Sequence, residues 1–132
     1  MKREIIDNAK LLNNVAQDDF YFSPEKDQNS RFIQAFLLQS TIIEGLMREF
    51  ANDLNKGNKI QGVKQSRTFY QSCREVRIVG GINKENFTKL LSYIDFRNNL
   101  VHKVLEKNDL KILEKEINDK YSDGSDIINI LM

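Results

Sequence analysis

Two side chains in the last third of the chain have the types and spacing for acid–base chemistry on a phosphate. His102 is the only histidine in the sequence, and imidazole is the side chain that titrates closest to neutrality, so a proton transfer at pH 7 would favour it. Arg97 stands five residues earlier, and its planar guanidinium can hold a phosphate group. Asn98, one helical turn before His102, could hydrogen-bond the imidazole and fix its tautomer. These three residues are the candidate catalytic group.

One helix must position all three, and we predict that it is capped by Asn83 and runs to about Lys107. At about 100° per residue, one narrow stripe of this helix collects Phe87, Leu91, Ile94, Asn98, Val101 and Leu105. We expect this stripe to face the core. Arg97 then falls roughly 80° to one side of the stripe and His102 roughly 60° to the other.

The same helix carries a second apolar patch, formed by Tyr93, Phe96 and Leu100. A second apolar surface on a small domain is typical of an interface. Arg97 and His102 are poorly placed to reach one phosphate from a single helix, whereas a two-fold axis near them would bring a second arginine and a second histidine across a shared groove. The pattern therefore predicts a homodimer with a composite active site.

The segment from Tyr93 to His102 resembles the signature of the HEPN domain family. In that family an arginine, usually followed by a polar residue such as Asn, precedes a histidine with four to six residues between them, on the penultimate or last long helix. Here Arg97 is followed by Asn98, and four residues separate Arg97 from His102. The resemblance implies an all-helical fold, two-fold dimers and, as in many family members, an endoribonuclease that needs no metal or other cofactor. It also implies a role as a toxin or antiviral-defence effector, with an antitoxin protein as a further expected partner.

Two positions qualify this resemblance. Many HEPN toxins that pair with a nucleotidyltransferase antitoxin have a modified tyrosine two residues after the histidine, but this chain has Val104 there, which puts that mode of neutralisation in doubt. Some HEPN sites carry an additional polar group, and Glu44 or Ser40 on the second predicted helix could supply it. Glu44 could equally be solvated, or paired with Arg48 at i+4.

Charge is distributed unevenly along the chain. Six basic residues and one acid lie between positions 56 and 79, whereas seven acids and four lysines lie between positions 106 and 126. The basic segment could track an RNA backbone through Lys64, Arg67, Arg74 and Arg77. The alternative is that both segments are ordinary solvated helix faces. The total of +1 excludes a strongly basic protein that coats DNA.

Composition limits the other classes of chemistry. A chain of 132 residues is expected to form a single domain over residues 1–132. One cysteine, Cys73, excludes an internal disulfide, and with one histidine it cannot build a Cys/His metal site within one chain. Cys73 also lacks a second histidine to activate it as a nucleophile. The apolar runs are too short for a transmembrane helix and the start of the sequence does not resemble a secretory signal, so we expect a cytoplasmic protein.

Helical periodicity recurs along the first half of the chain. It predicts a helix over roughly the first 16 residues, a polar connector over 17–30 with Ser30 as an N-cap, and a long, very apolar helix over 31–55. Gly57 and Gly62 are expected to bracket a turn.

The second half continues the pattern. A third helix is predicted over 63–79, although its last five residues alternate as in a strand, and Gly80-Gly81 should end it. Asn108 should cap a fifth helix that ends near Tyr121, followed by a turn at 123–125 and a short apolar tail that could dock as a last helical turn. The sequence therefore predicts an all-α, up-and-down bundle of about five helices.

Three functions remain open at this point. The first is a ribonuclease in which the 2′-hydroxyl of the RNA attacks the adjacent phosphate, with proton transfer by His102 and charge stabilisation by Arg97. The second is a non-catalytic HEPN-like module that dimerises or binds a nucleotide or a partner protein. The third is a helical partner or antitoxin subunit that docks through the Phe96 patch and the apolar tail.

Overall fold

Apolar side chains recur every three to four residues along most of the chain, and the backbone folds accordingly. The computed structural model describes residues 1–22, 28–56, 68–106 and 110–132. These ranges contain five helices: α1 (Arg3–Phe22), α2 (Gln28–Lys56), α3 (Phe69–Ile78), α4 (Lys84–Glu106) and α5 (Leu110–Leu131). The predicted all-α bundle of about five helices is confirmed for this part of the chain.

The second helix is the centre of the bundle. It contacts each of the other four helices, and its side chains Phe36, Ile43, Met47 and Ala51 are completely buried. All five helices contribute to one hydrophobic cluster, so burial of apolar surface joins them into one core. The central position of α2 explains why its sequence is apolar on more than one side.

Local capping residues set the start and end of α3 and the start of α4. Thr68 and Gln71 form a reciprocal capping box at the start of α3. The predicted stop at Gly80-Gly81 is confirmed, because Gly80 adopts a φ of 79° that disfavours other residues. Asn83 caps α4 as predicted, since its side-chain oxygen accepts a hydrogen bond of 2.8 Å from the backbone of Asn86.

Other predicted boundaries were wrong or cannot be compared. The first helix extends to Phe22 rather than ending near residue 16, and Ser30 lies inside α2 instead of capping it. The strand-like residues at the end of the third segment are helical up to Ile78. Gly57, Gly62 and Asn108, together with the predicted start of the third helix, lie outside the described residues.

The turn predicted at residues 123–125 is not present, because α5 continues through it to Leu131. Burial of Ile127 and Ile128 on α5 outweighs the low helix propensity of Gly124, and a buried polar contact joins α5 to the centre of the bundle. Gln39 on α2 is fully buried, donates a hydrogen bond of 2.9 Å to the carbonyl of Tyr121, and accepts one of 2.9 Å from the hydroxyl of Tyr93. Gly124 lies against this amide and has no side chain to displace it. The apolar tail thus docks as part of the helix, with Ile127 and Ile128 buried.

A methyl group at position 124 should therefore destabilise the protein. In Gly124→Ala the new Cβ would overlap the Gln39 amide and approach Tyr93 Cε2 to 2.8 Å. We expect the free energy of unfolding to fall by about 1 to 3 kcal/mol, since overpacking outweighs the gain in helix propensity.

Gly45→Ala is the matched control, because a Cβ there meets no atom within 4 Å. In the middle of α2 it should raise the free energy of unfolding by about 0.5 to 1 kcal/mol. Urea unfolding followed by circular dichroism measures both. Equal or greater stability of Gly124→Ala would contradict the proposed packing.

No helix in the described ranges combines the length and apolar character needed to cross a membrane.

Candidate functional site

The candidate catalytic residues lie on α4, and its packing differs from the prediction in the second half of the helix. The predicted core stripe is correct for Ile94, which is buried, but Val101 and Leu105 are 68% and 78% exposed. The buried side chains of this helix are instead Leu90, Tyr93, Ile94, Phe96 and Leu100.

The predicted second apolar patch is therefore part of the core. The ring of Phe36 on α2 lies 5.2 Å from that of Tyr93 and 5.4 Å from that of Phe96, between ring centroids. Leu100 is buried in the same cluster. The expectation that Phe96 and Leu100 form an interface with another molecule was wrong, because both side chains are already buried within the chain.

Arg97 is held in place by two neighbouring helices. Its Nη2 atom lies 3.1 Å from Oε2 of Glu44 on α2, and its side chain is 29% exposed. Its guanidinium carbon lies 5.8 Å from the ring centroid of Phe69 at the start of α3, within the range of a cation–π contact. The arginine is thus fixed by an ion pair and an aromatic ring before any ligand binds.

Glu44 connects Arg97 to a second arginine. Its Oε1 atom lies 2.8 Å from Nη2 of Arg48, one turn further along α2. The pairing with Arg48, one of the alternatives predicted for Glu44, therefore occurs, and the second oxygen of the same carboxylate contacts Arg97. Arg48 was not among the predicted site residues, although its spacing from Glu44 was a signal for it.

Ser40 is not part of this cluster. Its side chain is buried, and its hydroxyl donates a hydrogen bond of 2.7 Å to the carbonyl of Leu37 in its own helix. Val104, at the position where some HEPN toxins have a tyrosine, packs partly buried against the core.

His102 and Asn98 are both exposed to solvent. They lie one turn apart on the outer side of α4, together with the exposed Val101 and Leu105. The structure, over the ranges it describes, contains no hydrogen bond between Asn98 and His102. The neighbouring Asn99 instead donates a hydrogen bond of 2.8 Å to the carbonyl of Asp95. The exposed imidazole can therefore reach a ligand, while its tautomer is not fixed within one chain.

Only part of the predicted RNA-binding segment can be placed. Arg74 is exposed on α3, and Nη1 of Arg77 donates a hydrogen bond of 3.4 Å to the carbonyl of Ile82. Lys64 and Arg67 lie outside the described residues.

Cys73 has no place in a nucleophilic mechanism. It is completely buried, and desolvation, with a smaller contribution from the Glu44 carboxylate, raises the pKa of its thiol to about 12. The reactive thiolate is therefore scarce at neutral pH. Across the described ranges, no three His, Cys, Asp or Glu side chains are grouped so that they could hold a metal ion.

A scan of protein-family models and searches of curated proteins and of solved structures found no match to this chain.

Proposed function

We propose that this protein is a metal-independent endoribonuclease of the HEPN type, which acts in the cytoplasm as a toxin or antiviral-defence effector. The observation that carries the proposal is the pairing of a fixed arginine with an accessible histidine on one helix. Arg97 is oriented by Glu44 at 3.1 Å, and His102 is exposed five residues later. The choice of RNA as the substrate comes from the resemblance of this segment to the HEPN signature.

The proposed reaction is cleavage by the RNA's own 2′-hydroxyl. As the 2′-oxygen attacks the adjacent phosphorus, its proton passes to an imidazole, and the 5′-oxygen of the next nucleotide leaves with a proton from an acid. The products are a 2′,3′-cyclic phosphate and a free 5′-hydroxyl. The guanidinium of Arg97 offsets the negative charge that develops on the phosphorane oxygens. The proposed role of Asn98, one turn before His102, is to hydrogen-bond the imidazole, a contact that the single chain does not make within the described residues.

The proposal includes a homodimer with a composite site. One imidazole cannot act as base and acid in the same step, and Arg97 and His102 project about 140° apart around α4. The exposed Val101 and Leu105 lie between them and would be covered by the same face of a second copy. In the proposed dimer, the apolar contact is made by Val101 and Leu105 and not by Phe96 and Leu100, which are buried within the chain.

A linked tandem of two copies tests the shared site. One tandem has two normal copies, and the other combines a normal copy with one that carries both Arg97→Ala and His102→Ala. If each site draws residues from both copies, the mixed tandem should have activity far below half that of the normal one. About half of the activity would show that each copy is a complete site.

The function itself is tested by incubating the purified protein with single-stranded RNA in EDTA. We expect cleavage, because neither Arg97 nor His102 requires a metal in the proposed reaction. Intact RNA, or cleavage that EDTA abolishes, would contradict the proposal.

A second candidate is a non-catalytic HEPN-like module that dimerises or binds a nucleotide, an antitoxin or another partner protein. The ion pair of Arg97 with Glu44 favours it, because part of the arginine's donor set is already engaged within the chain. Intact RNA, together with dimers that Leu105→Asp dissociates, would support this module over the ribonuclease.

A further inference from the structure

Two arginines from different helices meet on one carboxylate beside the candidate site. Oε2 of Glu44 lies 3.1 Å from Nη2 of Arg97, and Oε1 lies 2.8 Å from Nη2 of Arg48. Two positive charges and one negative charge leave this cluster with a formal charge of +1.

The cluster combines a buried anchor with an accessible outer side. The Glu44 side chain is only 18% exposed, whereas that of Arg48 is 49% exposed. A guanidinium has five N–H donors, and one nitrogen of each arginine contacts Glu44, so donors remain on both groups for a ligand. Because the carboxylate already pairs with both side chains, a ligand that binds them loses less conformational entropy on ordering them.

We propose that Arg48 and Arg97 together bind a phosphate group of single-stranded RNA, with Glu44 as the residue that positions both guanidinium groups. A phosphate suits this site because its oxygens accept paired hydrogen bonds from the planar fork of arginine. The inference deepens the proposed function and rests on it for the choice of RNA as the ligand. It adds a residue on α2 to a site whose candidate catalytic residues all lie on α4.

Binding of an RNA that cannot be cleaved tests this site separately from catalysis. The probe is a fluorescein-labelled, single-stranded 12-mer of mixed sequence in which every 2′-hydroxyl is methylated, and fluorescence anisotropy at several salt concentrations gives its affinity. Arg48→Gln should weaken binding by about tenfold and lower the log–log salt slope by about 0.7, as expected for the loss of one phosphate contact on a single strand. Arg48→Lys should retain most of the slope but lose affinity, because an ammonium cannot present the paired donors.

Arg31→Gln is the matched control. Arg31 also lies on α2, is 48% exposed and pairs with Asp19 at 3.5 Å, but it is 17 residues from Arg48, or about 25 Å along the helix. Its substitution should leave affinity and slope nearly unchanged. The inference is overturned if Arg48→Gln and Arg31→Gln behave alike, or if the wild-type protein does not bind the probe. Weaker binding of the probe by Arg48→Gln alone would support the phosphate site even if the protein does not cleave ordinary RNA. The absence of cleavage would contradict only the catalytic proposal.

Discussion

Replacing His102 with alanine is expected to slow RNA cleavage by about a hundredfold or more, the usual range for removal of a general acid–base group. His102 is the only histidine in the chain, so the protein has no other imidazole to take over the proton transfers. Initial cleavage rates on a labelled oligoribonucleotide at pH 7, at equal concentrations of the two proteins, measure the effect.

His102 is exposed, and removing a surface side chain should change the free energy of unfolding by less than about 0.5 kcal/mol. A loss of cleavage rate in His102→Ala can therefore be attributed to the missing imidazole. Asn99→Ala is the control on the same helix, since Asn99 is also exposed and its amide hydrogen-bonds only within α4. It should cleave at nearly the wild-type rate. Full activity in folded His102→Ala would remove the histidine from the mechanism.

Arg97→Ala is expected to reduce cleavage by a similar factor, on the order of a hundredfold, because the phosphorane loses its charge-stabilising donor. Arg97→Lys should recover only part of the loss, since lysine keeps the charge but not the planar fork. The measurement is kcat/KM on the same oligoribonucleotide.

This substitution also affects the fold, in contrast to that of His102. It leaves the partly buried Glu44 with Arg48 as its remaining partner and removes the cation from the face of Phe69. We expect a loss of about 1 to 2 kcal/mol in the free energy of unfolding, so activity must be expressed per folded molecule. If Arg97→Ala then has the wild-type kcat/KM per folded molecule, Arg97 supports the structure and does not act on the phosphate.

Helix content and several helix ends could be predicted from local sequence. The apolar spacing identified the helices, and Asn83 and Gly80 specified a start and a stop through side-chain and backbone geometry that depends on a few neighbouring residues. Gly124 shows the limit of such signals. Its neighbours are typical of a turn, but α5 continues through them because burial of Ile127 and Ile128 and the close contact with the Gln39 amide outweigh that preference.

The orientation of α4 could not be predicted for a different reason. The helix carries two apolar stripes, and periodicity alone does not determine which of them meets α2. The rings of Phe36, Tyr93 and Phe96 pack together and leave Val101 and Leu105 outside. The residues on α4 that could do chemistry were identified from their types and spacing, whereas the contact between Arg97 and Glu44 depends on tertiary packing that sequence spacing does not define.

The chemical nature of the new 3′ end is the most direct test of the proposed mechanism. Purified wild-type protein is incubated in EDTA with a short RNA of known sequence, and the fragments are analysed by mass spectrometry. Attack by the 2′-hydroxyl predicts a 2′,3′-cyclic phosphate on one fragment, a 5′-hydroxyl on the other, and no cut where the 2′-oxygen is methylated. Fragments with a 3′-hydroxyl and a 5′-phosphate would contradict the account, because water and not the RNA itself would then be the nucleophile.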